Sequence, residues 1–169
     1  MARYNGTSVI PEMIWSRPDA IIATDACLSG GGGYCGDQYF AFEFPDHIIA
    51  QGHHISVLEM WVVLLAIKIW SREICNLRLQ IYCDNSATVD TINRGKCKDK
   101  EMLKLLREIC FLCSLNSVQV RTLHIAGKVN RLADQLSRIH LKNHILPGEV
   151  ESMDRIIITA DMFKLDNNW

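Results

Sequence analysis

Leu77-Arg78-Leu79-Gln80-Ile81-Tyr82-Cys83-Asp84-Asn85-Ser86 decides how the rest of the chain is read. Residues 77–83 alternate in the period-two manner of a strand with one face on a core. Asp84-Asn85-Ser86 follows with turn and N-cap chemistry, and residues 86–93 read as a short helix closed by Gly95. Just upstream, residues 56–75 are apolar almost all round, the pattern of a helix enclosed by protein. A strand that leaves one buried helix and enters another belongs to a layered α/β domain.

Toward the N-terminus, Ala20-Ile21-Ile22-Ala23-Thr24 predicts a short buried strand ending at Asp25. The run Ser29-Gly30-Gly31-Gly32-Gly33 predicts a mobile or tightly turning segment, with a second strand starting over 34–36. Tyr39-Phe40-Ala41-Phe42-Glu43-Phe44 predicts a third, so the chain opens as an antiparallel meander. Toward the C-terminus, residues 99–115 predict an amphipathic helix, 118–123 a last strand and 131–138 a last helix. The order β-β-β-α-β-α-α-β-α predicts a five-stranded mixed sheet, its first three strands antiparallel, with helices on both faces.

The expected organisation is a lead-in over 1–18, broken by Pro11 and Pro18, and a domain over 19–140. The extension over 141–169 is less legible. Pro147-Gly148 marks a turn; residues 155–159 read either as an extra strand or as the start of a further module of a longer parent chain; Thr159-Ala160-Asp161 reads as the cap of a short terminal helix.

The chain of 169 residues is 49% hydrophobic and 22% charged, a globular composition that excludes wholesale disorder. With 18 Lys+Arg against 19 Asp+Glu the formal charge is −1, without the basic excess of a protein that holds nucleic acid unaided. The longest apolar run, residues 60–67, is far short of the roughly 20 residues that cross a bilayer, so no membrane association is expected. Seven scattered cysteines form no disulfide framework and point to a reducing, intracellular compartment. Cys110-x-x-Cys113 lies in a helical pattern with no second pair, so zinc is not expected.

Four carboxylates stand at element ends, and each has a local explanation. Asp25 can start a turn. Ser56-x-x-Glu59 fits a capping box. Asp84 fits a turn, and Asp134 suits the first turn of a helix through the dipole. Together they can converge on one rim of the sheet. Two unit charges about 4 Å apart repel by roughly 4 kcal/mol at an effective dielectric near 20, and hard divalent cations relieve such repulsion. All-oxygen donors favour Mg²⁺ or Mn²⁺. Two such ions suit an in-line phosphodiester hydrolysis, in which one polarises the attacking water and the other neutralises the departing 3′-oxygen.

Ile22-Ala23-Thr24-Asp25-Ala26, His54-Ile55-Ser56-Val57-Leu58-Glu59-Met60, Ile81-Tyr82-Cys83-Asp84-Asn85 and the segment from His124 through Ala133-Asp134-Gln135-Leu136-Ser137-Arg138 resemble the ribonuclease H domain of retroelement reverse transcriptases. The likeness is greatest to the DIRS-type, tyrosine-recombinase retrotransposons and spans about residues 20–138. It implies an RNase H-like fold and an endonuclease that cleaves the RNA strand of RNA–DNA hybrids with two Mg²⁺ or Mn²⁺ ions during reverse transcription. It carries the catalytic metal-ligand role onto Asp25, Glu59, Asp84 and Asp134. It implies a proton-moving or product-releasing role for His124, whose alternative is to end the last strand and pack. It implies as partners a hybrid and the polymerase domain of a parent polyprotein, to which the Met1-Ala2 start also points. Ser137-Arg138 looks like the family's helix end and carries no chemistry legible in the residues.

The chain departs from the family pattern at Cys27, where many members have serine, at Gly30 to Gly33, where an aromatic is common, and in the short connection over 94–100. There Arg94, Lys96, Lys98 and Lys100, with Lys104, make a small basic patch that reads either as a solvated loop or as a phosphate contact. Beside the acids, the backbone of Ala26 and Cys27 and the side chains of Ser56, Asn85 and Ser86 are candidates for sugar contacts, since hybrids are read through shape and 2′-hydroxyls. A catalytically silent scaffold or nucleic-acid-binding module, and a DNA-acting nuclease on the same fold, are the competing readings.

Overall fold

The structure, a computed structural model, describes residues 17–142 and 144–165. The predicted lead-in therefore lies outside the described residues except for Arg17 and Pro18. The chain runs β1 (Ala20–Ala26), β2 (Gly30–Cys35), β3 (Gln38–Glu43), a one-turn α1 (Asp46–Ile49), α2 (Ile55–Ile69), β4 (Arg78–Cys83), α3 (Ser86–Arg94), α4 (Lys100–Leu115), β5 (Gln119–His124), α5 (Arg131–Ser137) and β6 (Asp154–Ile156). Short 3-10 turns cover Gly148–Val150 and Ala160–Phe163.

One mixed sheet is formed in the order β5-β4-β1-β2-β3-β6. β1, β2 and β3 pair antiparallel, while β4 joins β1, and β5 joins β4, in parallel. This is the mixed α/β sheet with helices on both faces expected from the pattern, with six strands among the described residues in place of five. The sixth, β6, pairs parallel with β3 through three residues, Tyr39 standing opposite Arg155. Of the two readings of residues 155–159, the extra strand is the one seen here, shifted to Asp154–Ile156.

The glycine run corrects the expectation of a mobile or turning segment. Gly30 to Gly33 are the buried first residues of β2. Period-two geometry sends their missing side chains to alternate faces. A Cβ on Gly31 would come within 2.4 Å of Val62 in α2, and one on Gly32 within 2.6 Å of the backbone of Leu136 in α5. Glycine thus lets a helix lie directly on each face of the same strand. β-propensity misses such a strand, because it measures side-chain packing that glycine cannot supply.

The larger core lies on the α2 face. Trp61, Val62, Leu64, Leu65 and Ile67 of α2 meet Ile22, Leu79 and Ile81 of the sheet and Leu105, Ile109 and Leu112 of α4. Burying each such side chain contributes roughly 1.5–3 kcal/mol, which is why a helix apolar all round is stable only when enclosed. Trp70, fully buried, donates its Nε1–H to Gln38 at 2.8 Å, so its one polar atom is satisfied. A smaller cluster of Tyr39, Ala41, Leu136 and Val150 lies on the α5 face. Gly95 closes α3 in the left-handed conformation, φ 64°, and Asp99 caps α4 by accepting from Met102 N at 2.9 Å.

The C-terminal segment returns to the main core. Phe163 packs against Phe42, Phe44 and Trp61 with ring centroids 5.4, 6.2 and 5.9 Å away. Lys68 donates to the carbonyls of Met162 and Lys164. Thr159 precedes the last turn but makes no side-chain capping bond. No helix among the described residues is long and apolar enough to cross a membrane.

Candidate functional site

Asp25 is the penultimate residue of β1, only 3% exposed, and stands opposite Gly32. Asp84 follows directly on β4, the parallel neighbour of β1. Glu59 sits on the second turn of α2 and is 2% exposed. Asp134 lies in the first turn of α5. All four line one cleft of about 500 Å³, together with Ala26, Cys27, Leu28, Ile55, Asn85 and Arg138.

The capping-box alternative for Glu59 does not hold. His54 is the N-cap of α2, its Nδ1 accepting from Ser56 N at 3.3 Å. Glu59 instead accepts from the Ala26 backbone N–H at 3.0 Å, a buried bond that ties the helix to the end of β1. Its other oxygen lies 3.6 Å from the Cys83 thiol, which donates to it.

Two residues at the end of α5 hold the acids, and the sequence assigned neither a role. Ser137 Oγ donates to Asp25 Oδ2 at 2.6 Å and lies 2.8 Å from the Asp134 carbonyl. Arg138 Nε donates to Asp134 Oδ1 at 2.8 Å. The loop before α5 is fastened to β1 by Asn130, 2% exposed, whose Nδ2 donates to the Thr24 carbonyl at 2.8 Å. Gly127 lies so close to Asp84 that a Cβ there would meet Oδ2 at 3.1 Å. Ser137 and Asn130 are recognisable in sequence only as small polar residues flanking a helix; their partners are more than 100 residues away.

Crowding four acids has electrostatic consequences. Burial is the main cause that pushes the Asp25 carboxyl up to about 7; Asp84 and Asp134 push the same way, while the Ser137 bond and Arg138 oppose it. Glu59 is held well above the ordinary carboxylate range, first by burial and then by Asp25, with the Ala26 N–H opposing. The Cys83 thiol is pushed far up by burial and by Glu59, so it is a neutral donor here. A site whose two deepest carboxyls resist ionisation is one that a divalent cation would stabilise. The carboxylates supply hard oxygen donors suited to Mg²⁺ or Mn²⁺. Among the described residues, ligand atoms of Glu59, Cys83 and Asp84 come within 4.8 Å of one another.

The remaining candidates divide. Ala26, Cys27 and Asn85 line the cleft, although Asn85 Oδ1 is engaged as the cap of α3, accepting from Thr88 N at 3.0 Å. Cys27 Sγ donates to the Ser137 carbonyl at 3.2 Å. Ser56 is buried and does not line the cleft; its hydroxyl shares a 3.2 Å contact with His54 Nδ1, and its carbonyl accepts from Thr88. Ser86 is exposed at the first residue of α3. His124 closes β5, is exposed, and its Nε2 lies 3.0 Å from the Asp84 carbonyl. Arg94, Lys96 and Lys98 line a separate depression of about 460 Å³ with Ala87, Asp90, Thr91 and Cys97, and Arg94 is paired to Asp90 at 3.2 Å.

No family model and no curated protein sequence matches the chain. Among solved structures it is similar to an RNase H1 isolated from compost by a metagenomic approach, at 15% identity and a TM-score of 0.46, over 69% of this chain and 91% of that one.

Proposed function

We propose that the chain is a metal-dependent endonuclease that hydrolyses the RNA strand of RNA–DNA hybrids, the ribonuclease H domain of a retroelement reverse transcriptase of the DIRS type. The observation that carries this reading is the meeting of Asp25, Glu59, Asp84 and Asp134, from four separate elements, in one cleft. These four residues are the proposed ligands of two Mg²⁺ or Mn²⁺ ions, which when bound supply an activated water and charge neutralisation at the leaving 3′-oxygen.

The protein's own groups then have defined tasks. The Ala26 N–H orients Glu59, and the Ser137 hydroxyl orients Asp25. His124, tethered to the Asp84 carbonyl, is the residue proposed to move a proton. The backbone at Ala26 and Cys27, with Asn85 and Ser86, contacts substrate sugars. Ser56, buried behind His54, acts only by setting the start of α2. Arg94, Lys96 and Lys98 contact phosphate. A net charge of −1 makes isolated binding weak and salt-sensitive, so a polymerase domain is the proposed source of most hybrid affinity. Residues 19–140 form the proposed catalytic unit of this domain.

The test offers a labelled RNA–DNA hybrid, a duplex DNA and a single-stranded RNA side by side, with Mg²⁺, with EDTA, and with Asp84→Asn. Cleavage of the hybrid's RNA strand alone is expected. EDTA should abolish it, and Asp84→Asn should lower it by more than about 100-fold, beyond what losing an outer hydrogen bond to a metal ligand costs, with the fold retained by circular dichroism. Cleavage of duplex DNA in its place would support the DNA-acting alternative. Cleavage of nothing, with the fold intact, would support a scaffold.

A further inference from the structure

We infer that Arg138 is a positioning residue that competes with the cation for Asp134, and so sets the metal affinity of the cleft. The inference rests on the reading of the cleft as a metal site. Arg138 carries the one positive side chain among the described residues that line it, against four carboxylates. Its Nε donates to Asp134 Oδ1 at 2.8 Å, and its charge also acts on the deeper Asp25. A lone pair directed at a guanidinium is not available to a metal ion, and a fixed positive charge beside the cleft disfavours entry of a second one.

Two features make the contact exchangeable. The Arg138 side chain is 44% exposed, so the guanidinium can leave for water without crossing protein. The pair also spans one helical turn at the end of α5, where rotation about the side chain alone breaks it without moving backbone. Ser137, one residue earlier, behaves differently. It is fully buried and serves the buried Asp25, so it stays in place whether or not the cleft is filled. Arg138 is thus the internal counter-ion of the metal-free cleft and is displaced when a cation binds.

Exposed ion pairs of this kind are weak, so the competition is modest. Arg138→Gln should bind Mn²⁺ roughly two- to fivefold more tightly, measured by calorimetric titration at low salt without nucleic acid. Its metal-free melting temperature should fall. Arg138→Lys, which keeps the charge, should stay near the native affinity. In an Asp134→Ala background the Arg138→Gln change should have a smaller effect on affinity, because the contested carboxylate has gone and only the charge of Arg138 remains. Raising the salt should narrow the difference. Equal or weaker Mn²⁺ binding by Arg138→Gln overturns the inference alone and leaves a helix-stabilising pair, which moves melting but not affinity. A native protein that binds no Mn²⁺ overturns the reading of the cleft, and the inference with it.

Discussion

The Ser137 hydroxyl donates to Asp25 across 2.6 Å of space and 112 residues of chain. It joins the end of the last main helix to the end of the first strand. A hydroxyl has one proton, and the Asp134 carbonyl, 2.8 Å away, is a second acceptor for it. The state of Asp25 therefore decides where that proton goes: an ionised carboxylate takes it, and a protonated one donates its own and leaves the hydroxyl to the carbonyl.

Ser137→Ala removes a bond that holds the Asp25 pKa down. The acid limb of metal-dependent cleavage should move to higher pH by about one unit, since a hydrogen bond to a charged group contributes roughly 1.5 kcal/mol and 1.36 kcal/mol corresponds to one unit. A pH–rate profile of the variant beside the native protein checks this; coincident acid limbs would show that the serine only packs.

The metal-free protein should lose stability as pH rises. Asp25 titrates at about 7 in the folded chain against an ordinary 3.8, so the folded state holds a proton that the unfolded chain releases. The stabilisation is whole below about pH 4 and declines through pH 7. It amounts to the order of 4 kcal/mol, and Glu59 acts in the same direction. Denaturant melts in EDTA between pH 5 and 8 measure it. Mg²⁺ at 100 times its dissociation constant should restore about 2.7 kcal/mol at the upper end.

Gly32→Ala should separate the acids without touching any of them. The new methyl would come within 2.6 Å of the Leu136 carbonyl carbon and 2.8 Å of Ser137 N, both backbone atoms, so α5 must move away from β2. Overpacking of this kind costs roughly 1–3 kcal/mol, and it carries Asp134 and Ser137 away from Asp25. Weaker Mn²⁺ binding with a lowered melting temperature is the expected pair of results. Native affinity in the variant would show that α5 does not need its close seat on the strand.

Phe163→Ala tests whether the C-terminal segment is part of the core. Phe163 is 6% exposed among Phe42, Phe44 and Trp61. Truncation of a buried Phe costs about 3–5 kcal/mol. Urea unfolding should show a loss of that size in a single transition. A change below about 0.5 kcal/mol, the ordinary effect of a surface substitution, would mark the segment as an appendage.

Periodicity made much of this architecture legible. The alternation over 77–83 became β4, the all-apolar run became α2, and the Gly95 stop stands where local chemistry predicts. The start of β2 was illegible because glycines carry no side-chain pattern, and β6, one of two readings of residues 155–159, is a strand only over Asp154–Ile156. The four acids were legible as residues at element ends. The capping box looked equally sound locally, and His54 took the cap, leaving Glu59 for Ala26.

The chain's own letters determined which segments become strands and helices and which carboxylates stand at their ends, because those properties depend on neighbours a few residues away. Only the tertiary structure decided that Glu59 serves β1 rather than its own helix, that Ser137 holds Asp25, and that Ser56 stays out of the cleft. Each of those outcomes depends on how closely α2 and α5 approach the sheet. That approach is set by the side chains missing from Gly31 and Gly32, a distance between elements that no local pattern encodes.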